Sequence, residues 1–326
     1  MTSRTARRPV LFDHDGALDD LLSLLLLTQY DTVDLRGVTV TPADCLPAPA
    51  LSATRKILEL TGLPHVPTAV GELAGRNPFP LVWRVDALRV DALPVLNRRE
   101  PATPPVAPST TTAAGPPAGA LPAHERLAAW LLEAGEPVTV LATGPLTNLA
   151  WCLDHHPEVE ARIEEVVFMG GALDVPGNVD QPGHDGSAEW NVYWDPEAAK
   201  RVFDSSLPIT LFPLDVTDRV PVTTAFAHAF GRHYGKPLSD LAGSLLALTF
   251  GTLETTGLPY CCWDSLTTSY LAEPGICDFD VVHCDVVTEG AGQGRTVRDA
   301  AGRPVRSAVA VDPDRFYRHC LDVLTR

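Results

Sequence analysis

Four carboxylates, Asp13, Asp15, Asp19 and Asp20, crowd the eight residues 13–20 of the segment LFDHDGALDD. The apolar stretch before them, Pro9 to Phe12, reads as a short buried strand. The leucine run after them predicts a helix over Leu18 to Tyr30. The acids therefore fall at the carboxyl end of a strand, where open α/β sheets bind their ligands. Four like charges so close repel one another unless donors or a cation are present. Helix capping and the helix dipole account for one or two of them, not four. A hard cation such as Ca²⁺ or Mg²⁺ takes oxygen ligands and resolves the conflict.

The pattern then repeats. Val33 to Thr41 predicts a second strand and Leu51 to Thr61 a second helix. Further strands are predicted at Pro137 to Ala142, Val166 to Met169 and Ile209 to Leu214, with a helix from Leu146. This alternation implies an α/β fold: an open, mostly parallel sheet with right-handed crossovers, helices on both faces and a Rossmann-like core. Asp278 to Val311 looks strand-rich. The segment Pro101 to Ala120 is almost all Pro, Ala, Thr and Gly, a composition that cannot pack a core. It is expected to be a mobile loop inside a single domain spanning 1–326, because the strand–helix pattern resumes after it.

With 326 residues, 45% of them hydrophobic, the chain can bury a sizeable core. It has no apolar run of 18 residues and no signal-like start, so no membrane partner and a cytoplasmic location are expected. A net charge of −16 argues against a nucleic-acid partner. The seven cysteines are odd in number and contain no C-x-x-C pair, which fits reduced thiols better than a disulfide framework.

The first motif alone is ambiguous. FDHDGAL looks like the D-x-D-G-T-L start of the haloacid dehalogenase-like phosphatases, with Asp13 as nucleophile and Asp15 as acid. That reading needs a lysine in a strand-end context, and Lys56, Lys200 and Lys236 offer none. Asp13-His14-Asp15-Gly16 followed by Asp19-Asp20 also resembles the nucleoside hydrolase family, and in particular its purine-preferring (inosine-adenosine-guanosine) branch. That family's other landmarks follow in order: VTPADC with Asp44, LATGPLTN with Thr143, VVFMGGA with Met169, GNVDQPGHDGSAEWNVYWDPEAA with Asn178, Glu189 and Asn191, and CCWDSL with Asp264. The resemblance covers residues 9 to about 325, apart from the Pro/Ala loop.

The resemblance implies a Ca²⁺ ion held by Asp15, Asp20, the backbone carbonyl of Thr143 and Asp264, all oxygen donors. It implies Asp15 as the base for an attacking water, and Asp19, Asp44, Asn178, Glu189 and Asn191 as ribose-binding residues, with Met169 lining the sugar pocket. Many family members carry a histidine just before the last metal-binding aspartate, and here that position is Trp263. An indole cannot act as a catalytic acid, but it can stack on a purine, and Trp83 in NPFPLVWR matches a second tryptophan of the purine branch. The implied activity is purine nucleosidase, releasing free base and ribose. A broad or pyrimidine-preferring hydrolase, a dehalogenase-like phosphatase and a non-catalytic nucleoside binder are the alternatives. The partner is a small ribonucleoside, and dimers or tetramers occur in the family. Trp190 and Trp194 are expected to be core residues, and His14 to point away from the pocket.

Overall fold

A computed structural model describes residues 7–98, 120–257 and 259–326, without the side chains of 252–256. The Pro/Ala-rich stretch expected to be mobile lies outside the described residues, except for Ala120.

The expected strand at the acidic cluster is β1 (Arg8–His14), and the leucine run is α1 (Leu18–Leu27), which stops short of Tyr30. Then follow β2 (Val33–Val40), α2 (Pro47–Leu60) and β3 (Thr68–Val70). Two short helices, α3 (Leu81–Arg84) and α4 (Asp86–Asp91), precede the undescribed stretch. The chain resumes with α5 (Ala123–Glu133), β4 (Val138–Ala142), α6 (Thr147–His155) and β5 (Ile163–Met169). Next come α7 (Trp190–Trp194), α8 (Pro196–Phe203), β6 (Ile209–Phe212) and α9 (Leu214–Thr217). A helical pair, α10 (Thr224–Gly231) and α11 (Pro237–Thr256), leads to α12 (Trp263–Ser269). Strands β7 (Cys277–Val286), β8 (Thr296–Arg298) and β9 (Arg303–Val311) and helix α13 (Pro313–Leu324) complete the fold.

The strands form one nine-stranded sheet in the order β3-β2-β1-β4-β5-β6-β9-β7-β8. Neighbours are parallel from β3 to β9, and β7 runs antiparallel to both β9 and β8. The α/β expectation therefore holds, with a mostly parallel sheet and an antiparallel edge. The chain moves outward from β1 to β2 and β3, then returns to lay β4 on the other side of β1. This reversal places a crevice at the carboxyl ends of β1 and β4.

Alternation along β1 explains the two apolar layers. Val10 and Phe12 face the layer built from α1, α2 and α10 to α13. Leu11 faces the layer of α5, α6 and α8. Buried on both faces, the central strands read as continuous apolar runs; all five residues of β4 (VTVLA) are buried. Every residue of α1 is buried too, because α1 is covered by α2, α11 and α12. Among the described residues, no helix is long and apolar enough to cross a membrane.

Leu25 is fully buried in the middle of α1. Leu25→Ala is expected to destabilise the fold by about 2–5 kcal/mol through lost burial and the cavity left behind. Urea-induced unfolding followed by circular dichroism measures it.

Candidate active site

The acids separate into two sets. Asp13 points into the α6 layer, where Thr39 Oγ1 and Thr41 Oγ1 donate to its Oδ1 at 2.9 and 3.1 Å and Asn148 Nδ2 donates at 3.1 Å. Asp13 is therefore a buried strut tying β1 to β2 and α6. Burial pushes its carboxyl up to about 7, against the pull of these donors. So enclosed, Asp13 has no room to serve as a phosphatase nucleophile. His14 faces the opposite layer. Its Nδ1 accepts from Gly16 N at 3.1 Å and its Nε2 lies 3.2 Å from Thr54 Oγ1, whose own hydrogen goes to Ala50 O. This fixes a neutral, Nε2-protonated ring pointing away from the crevice, as the sequence suggested.

Gly16 makes the turn from β1 into α1 at φ +80°, and a Cβ there would meet Cys45 Cβ at 2.8 Å. The turn brings Asp15, Asp19 and Asp20 over the crevice. Asp20 Oδ2 accepts from Ala17 N at 2.8 Å, and its Oδ1 accepts from Thr143 Oγ1. Asp15 Oδ2 accepts from Asp44 N at 3.2 Å. Asp264, at the start of α12, donates its N–H to Asp19 Oδ2 at 3.0 Å. Asp44 Oδ1 is buried with no partner.

Burial, then the charge of Asp20, holds the carboxyls of Asp15 and Asp44 well above the usual range. Burial and Asp19 do the same to Asp264, and Asp19 is pushed up to about 6 by burial and Asp20. Among the described residues, no ion pair reaches Asp15, Asp19, Asp20 or Asp264. The carboxyl of Asp15 stands beside that of Asp20 and the carboxyl of Asp264 beside that of Asp19, and this proximity adds to burial in raising Asp15 and Asp264. As these side chains lie, no three Asp, Glu, His or Cys groups among the described residues are arranged to hold a metal ion. The donor set nevertheless suits a hard cation: it is all oxygen, lacks a countercharge and leaves Asp44 Oδ1 unsatisfied.

The β5 side supplies the rest. Asn191 Nδ2 donates to the Thr143 carbonyl at 2.8 Å and to Met169 O at 3.1 Å. Glu189 caps α7, accepting from Asn191 N at 2.8 Å and Gly171 N at 2.9 Å, and burial pushes it up to about 7. Asn178 Oδ1 accepts from Trp190 N at 3.1 Å. Asp15, Asp19, Asp20, Asp44 and Asp264 thus stand together as one acidic group. Thr143, Met169, Glu189 and Asn191 form a second, joined to the first through the Asp20–Thr143 contact.

The two tryptophans lie in separate clusters. Trp263 packs with Met169, Ala172 and Leu214. Trp83 packs against Phe79 and, edge-on at 5.2 Å, against Trp190. Trp190 and Trp194 are core residues, as expected. Sequence reasoning missed Tyr260, whose hydroxyl donates to Asp19 Oδ1 and whose ring meets Trp263 at 4.6 Å. Its position three residues before Trp263 in PYCCWD was the available signal. The Asp13 strut was missed as well, although Asn148 stands in the quoted LATGPLTN.

The family model for inosine-uridine preferring nucleoside hydrolases matches residues 10–318. The chain belongs to this family and is a nucleoside hydrolase. The pyrimidine-specific ribonucleoside hydrolase RihA of Citrobacter koseri is 33% identical over 319 residues, with 94% of each chain covered. The crystal structure of an inosine-uridine preferring nucleoside hydrolase from Bacillus anthracis aligns with TM-score 0.87 at 39% identity, covering 98% of this chain and 99% of that one. A purine-preferring ribonucleoside hydrolase from Gardnerella vaginalis shares the fold with TM-score 0.77 at 23% identity, covering 98% of both chains.

Gly144 seats β4 against the acidic turn: a Cβ there would stand 2.8 Å from Asp15 Cβ and 2.9 Å from Asp15 N. Neither neighbour can rotate away. Gly144→Ala is expected to cost about 1–3 kcal/mol of stability and to lower turnover by displacing Asp15. Thermal melting and a reducing-sugar assay on the same preparation measure both effects.

Proposed function

We propose that the protein hydrolyses the N-glycosidic bond of ribonucleosides in a calcium-dependent reaction and prefers purine nucleosides. The observation that carries the chemistry is the group of buried carboxyls Asp15, Asp19, Asp20 and Asp264 at the β1/β4 crevice, which no ion pair among the described residues reaches. The residues that would hold Ca²⁺ are Asp15, Asp20, the Thr143 carbonyl and Asp264. Bound there, a divalent cation supplies positive charge that lowers the pKa of a nearby water and of these carboxyls.

Asp15 accepts the proton of the attacking water. The water oxygen bonds to the anomeric carbon, the carbon–nitrogen bond breaks, and its electron pair leaves with the base, which is protonated from solvent. The products are free base and ribose. Positive charge develops on the ribose ring as the bond opens. Asp19, Glu189, Asn178 and Asn191 stabilise that charge and bind the sugar hydroxyls. Asp44, with its free Oδ1, binds a hydroxyl. Such bonds make an intact ribose a requirement, because a deoxy substrate leaves buried groups unpaired.

Purine preference rests on Trp263. Its indole is half-buried beside Met169, the residue assigned to the sugar pocket, and so can offer a face to the departing base. Trp83, on α3 and edge-on to Trp190, is the second stacking residue in this reading. A pyrimidine preference is the alternative, favoured by the pyrimidine specificity of the 33%-identical Citrobacter koseri relative. The seven cysteines are all buried and unbridged, which favours the reducing cytoplasm.

Separate incubations with inosine and uridine, followed by a reducing-sugar assay, distinguish the two readings. Faster release from inosine is expected, and equal or faster release from uridine overturns the purine preference alone. Exhaustive chelation should abolish turnover. Added Ca²⁺ should restore it and raise the melting temperature of wild type but not of Asp20→Ala, which lacks a ligand. Undiminished activity after chelation would rule out the cation. Asp15→Asn keeps the shape of the side chain but cannot take the proton, so its kcat should fall by roughly 10²–10⁴-fold. A value within a few-fold of wild type would assign the base elsewhere.

A further inference from the structure

The indole of Trp263 is held from three sides. Its body packs on Met169, Ala172 and Leu214. The Tyr260 ring meets it edge-on, with centroids 4.6 Å apart and planes at 61°. Its Nε1–H donates to Asp218 Oδ1 at 2.8 Å. Asp218 caps the C-terminus of α9, its own N–H donating to Leu214 O at 3.1 Å. Neither packing nor the metal-binding set explains why an exposed carboxylate stands at this point.

The backbone fixes the two partners relative to each other. Val222 N donates to Tyr260 O at 2.8 Å and Cys262 N to Val220 O at 2.9 Å, around an antiparallel bridge between Pro221 and Cys261. Asp218 and Trp263 flank the same end of this short ribbon, where Val220 pairs with Cys262. Cys261 Sγ adds a contact to the Asp218 carbonyl at 3.6 Å. Without an acceptor, an indole χ2 has broad alternative wells, and ordering it on binding costs affinity.

We propose that Asp218 is a positioning residue: it locks the Trp263 indole at the mouth of the pocket and thereby sets discrimination in favour of bicyclic bases. The proposal rests on the stacking role given to Trp263 above. A fused-ring base overlaps more of a fixed indole than a single ring does, so a loosened indole penalises purines more than pyrimidines. The charged acceptor also draws on the N–H and enriches the indole face, which favours a base that is becoming protonated.

The test compares kcat and KM for inosine and uridine in Ca²⁺-loaded wild type, Asp218→Ala, Asp218→Asn, Trp263→Ala, Trp263→Phe and the double variant Asp218→Ala/Trp263→Phe. Asp218→Ala should lower kcat/KM for inosine roughly tenfold, the worth of one charge-assisted bond at a partly exposed site, and lower it less for uridine. Asp218→Asn should recover most of the loss, since its amide oxygen still accepts the indole N–H. In the Trp263→Phe background the Asp218 substitution should have no further effect, because Phe has no donor. An unchanged inosine-to-uridine ratio in Asp218→Ala, while Trp263→Ala impairs inosine, would overturn the positioning role and leave stacking intact. Unchanged inosine turnover in Trp263→Ala would overturn stacking and this proposal together. Asp218 is exposed, so its substitutions should leave the fold intact, and a melting curve on each variant checks it.

Discussion

Repulsion among buried carboxyls at the end of β1 is the constraint to which the neighbouring elements answer. The molecule meets it in two ways. Asp13 is surrounded by Thr39, Thr41 and Asn148, whose donors satisfy it within the protein. Asp15, Asp19, Asp20 and Asp264 receive no ion pair among the described residues, and burial beside one another holds the carboxyls of Asp15, Asp19 and Asp264 up. Neighbours in sequence thus have opposite fates, decided by strand alternation. Asp13 still points into the sheet's α6 side, whereas the Gly16 turn carries Asp15 out over the crevice. A carboxyl that the protein satisfies is structural, and one that it leaves unsatisfied is available to a cation or a hydroxyl.

Much of the fold was legible because its signals are local. Short apolar runs marked β1, β2, β4, β5 and β6, and the leucine run marked α1. Boundaries moved where local preference met a turn. The helix expected to reach Tyr30 ends at Leu27, and the strand expected to reach Leu214 ends at Phe212, where Pro213 precedes α9. The helix expected from Leu51 starts four residues earlier, at Pro47, since proline suits a first helical turn. Strand direction was not legible: β7 and β9 have the composition of strands, but composition does not say that they pair antiparallel.

The site was legible where its residues belong to compact motifs and illegible where it depends on distance in sequence. Asp15, Asp20 and Thr143 announce themselves beside Gly16 and Gly144, which shape the turns that carry them. Tyr260 meets Asp19 across 241 positions, and Trp263 meets Asp218 across 45. No periodicity encodes such contacts. They follow from the Val220–Cys262 and Val222–Tyr260 backbone pairing, which closes the long α10–α11 excursion at its base.

That closure separates two tasks. The residues proposed to hold the ribose stand on β1, β4, β5 and α7, which are tied to one another by Asp20, Thr143 and Asn191. Those proposed to face the base stand on the ribbon at 218–222 and 260–263 and on α3. On that proposal, tryptophan instead of histidine before Asp264 changes what faces the base, while Asp264 stays positioned from its backbone through Asp19. Cleavage chemistry and base choice can therefore vary independently on one sheet. The first is constrained by charges that must remain together, and the second only by rings and by what holds them in place.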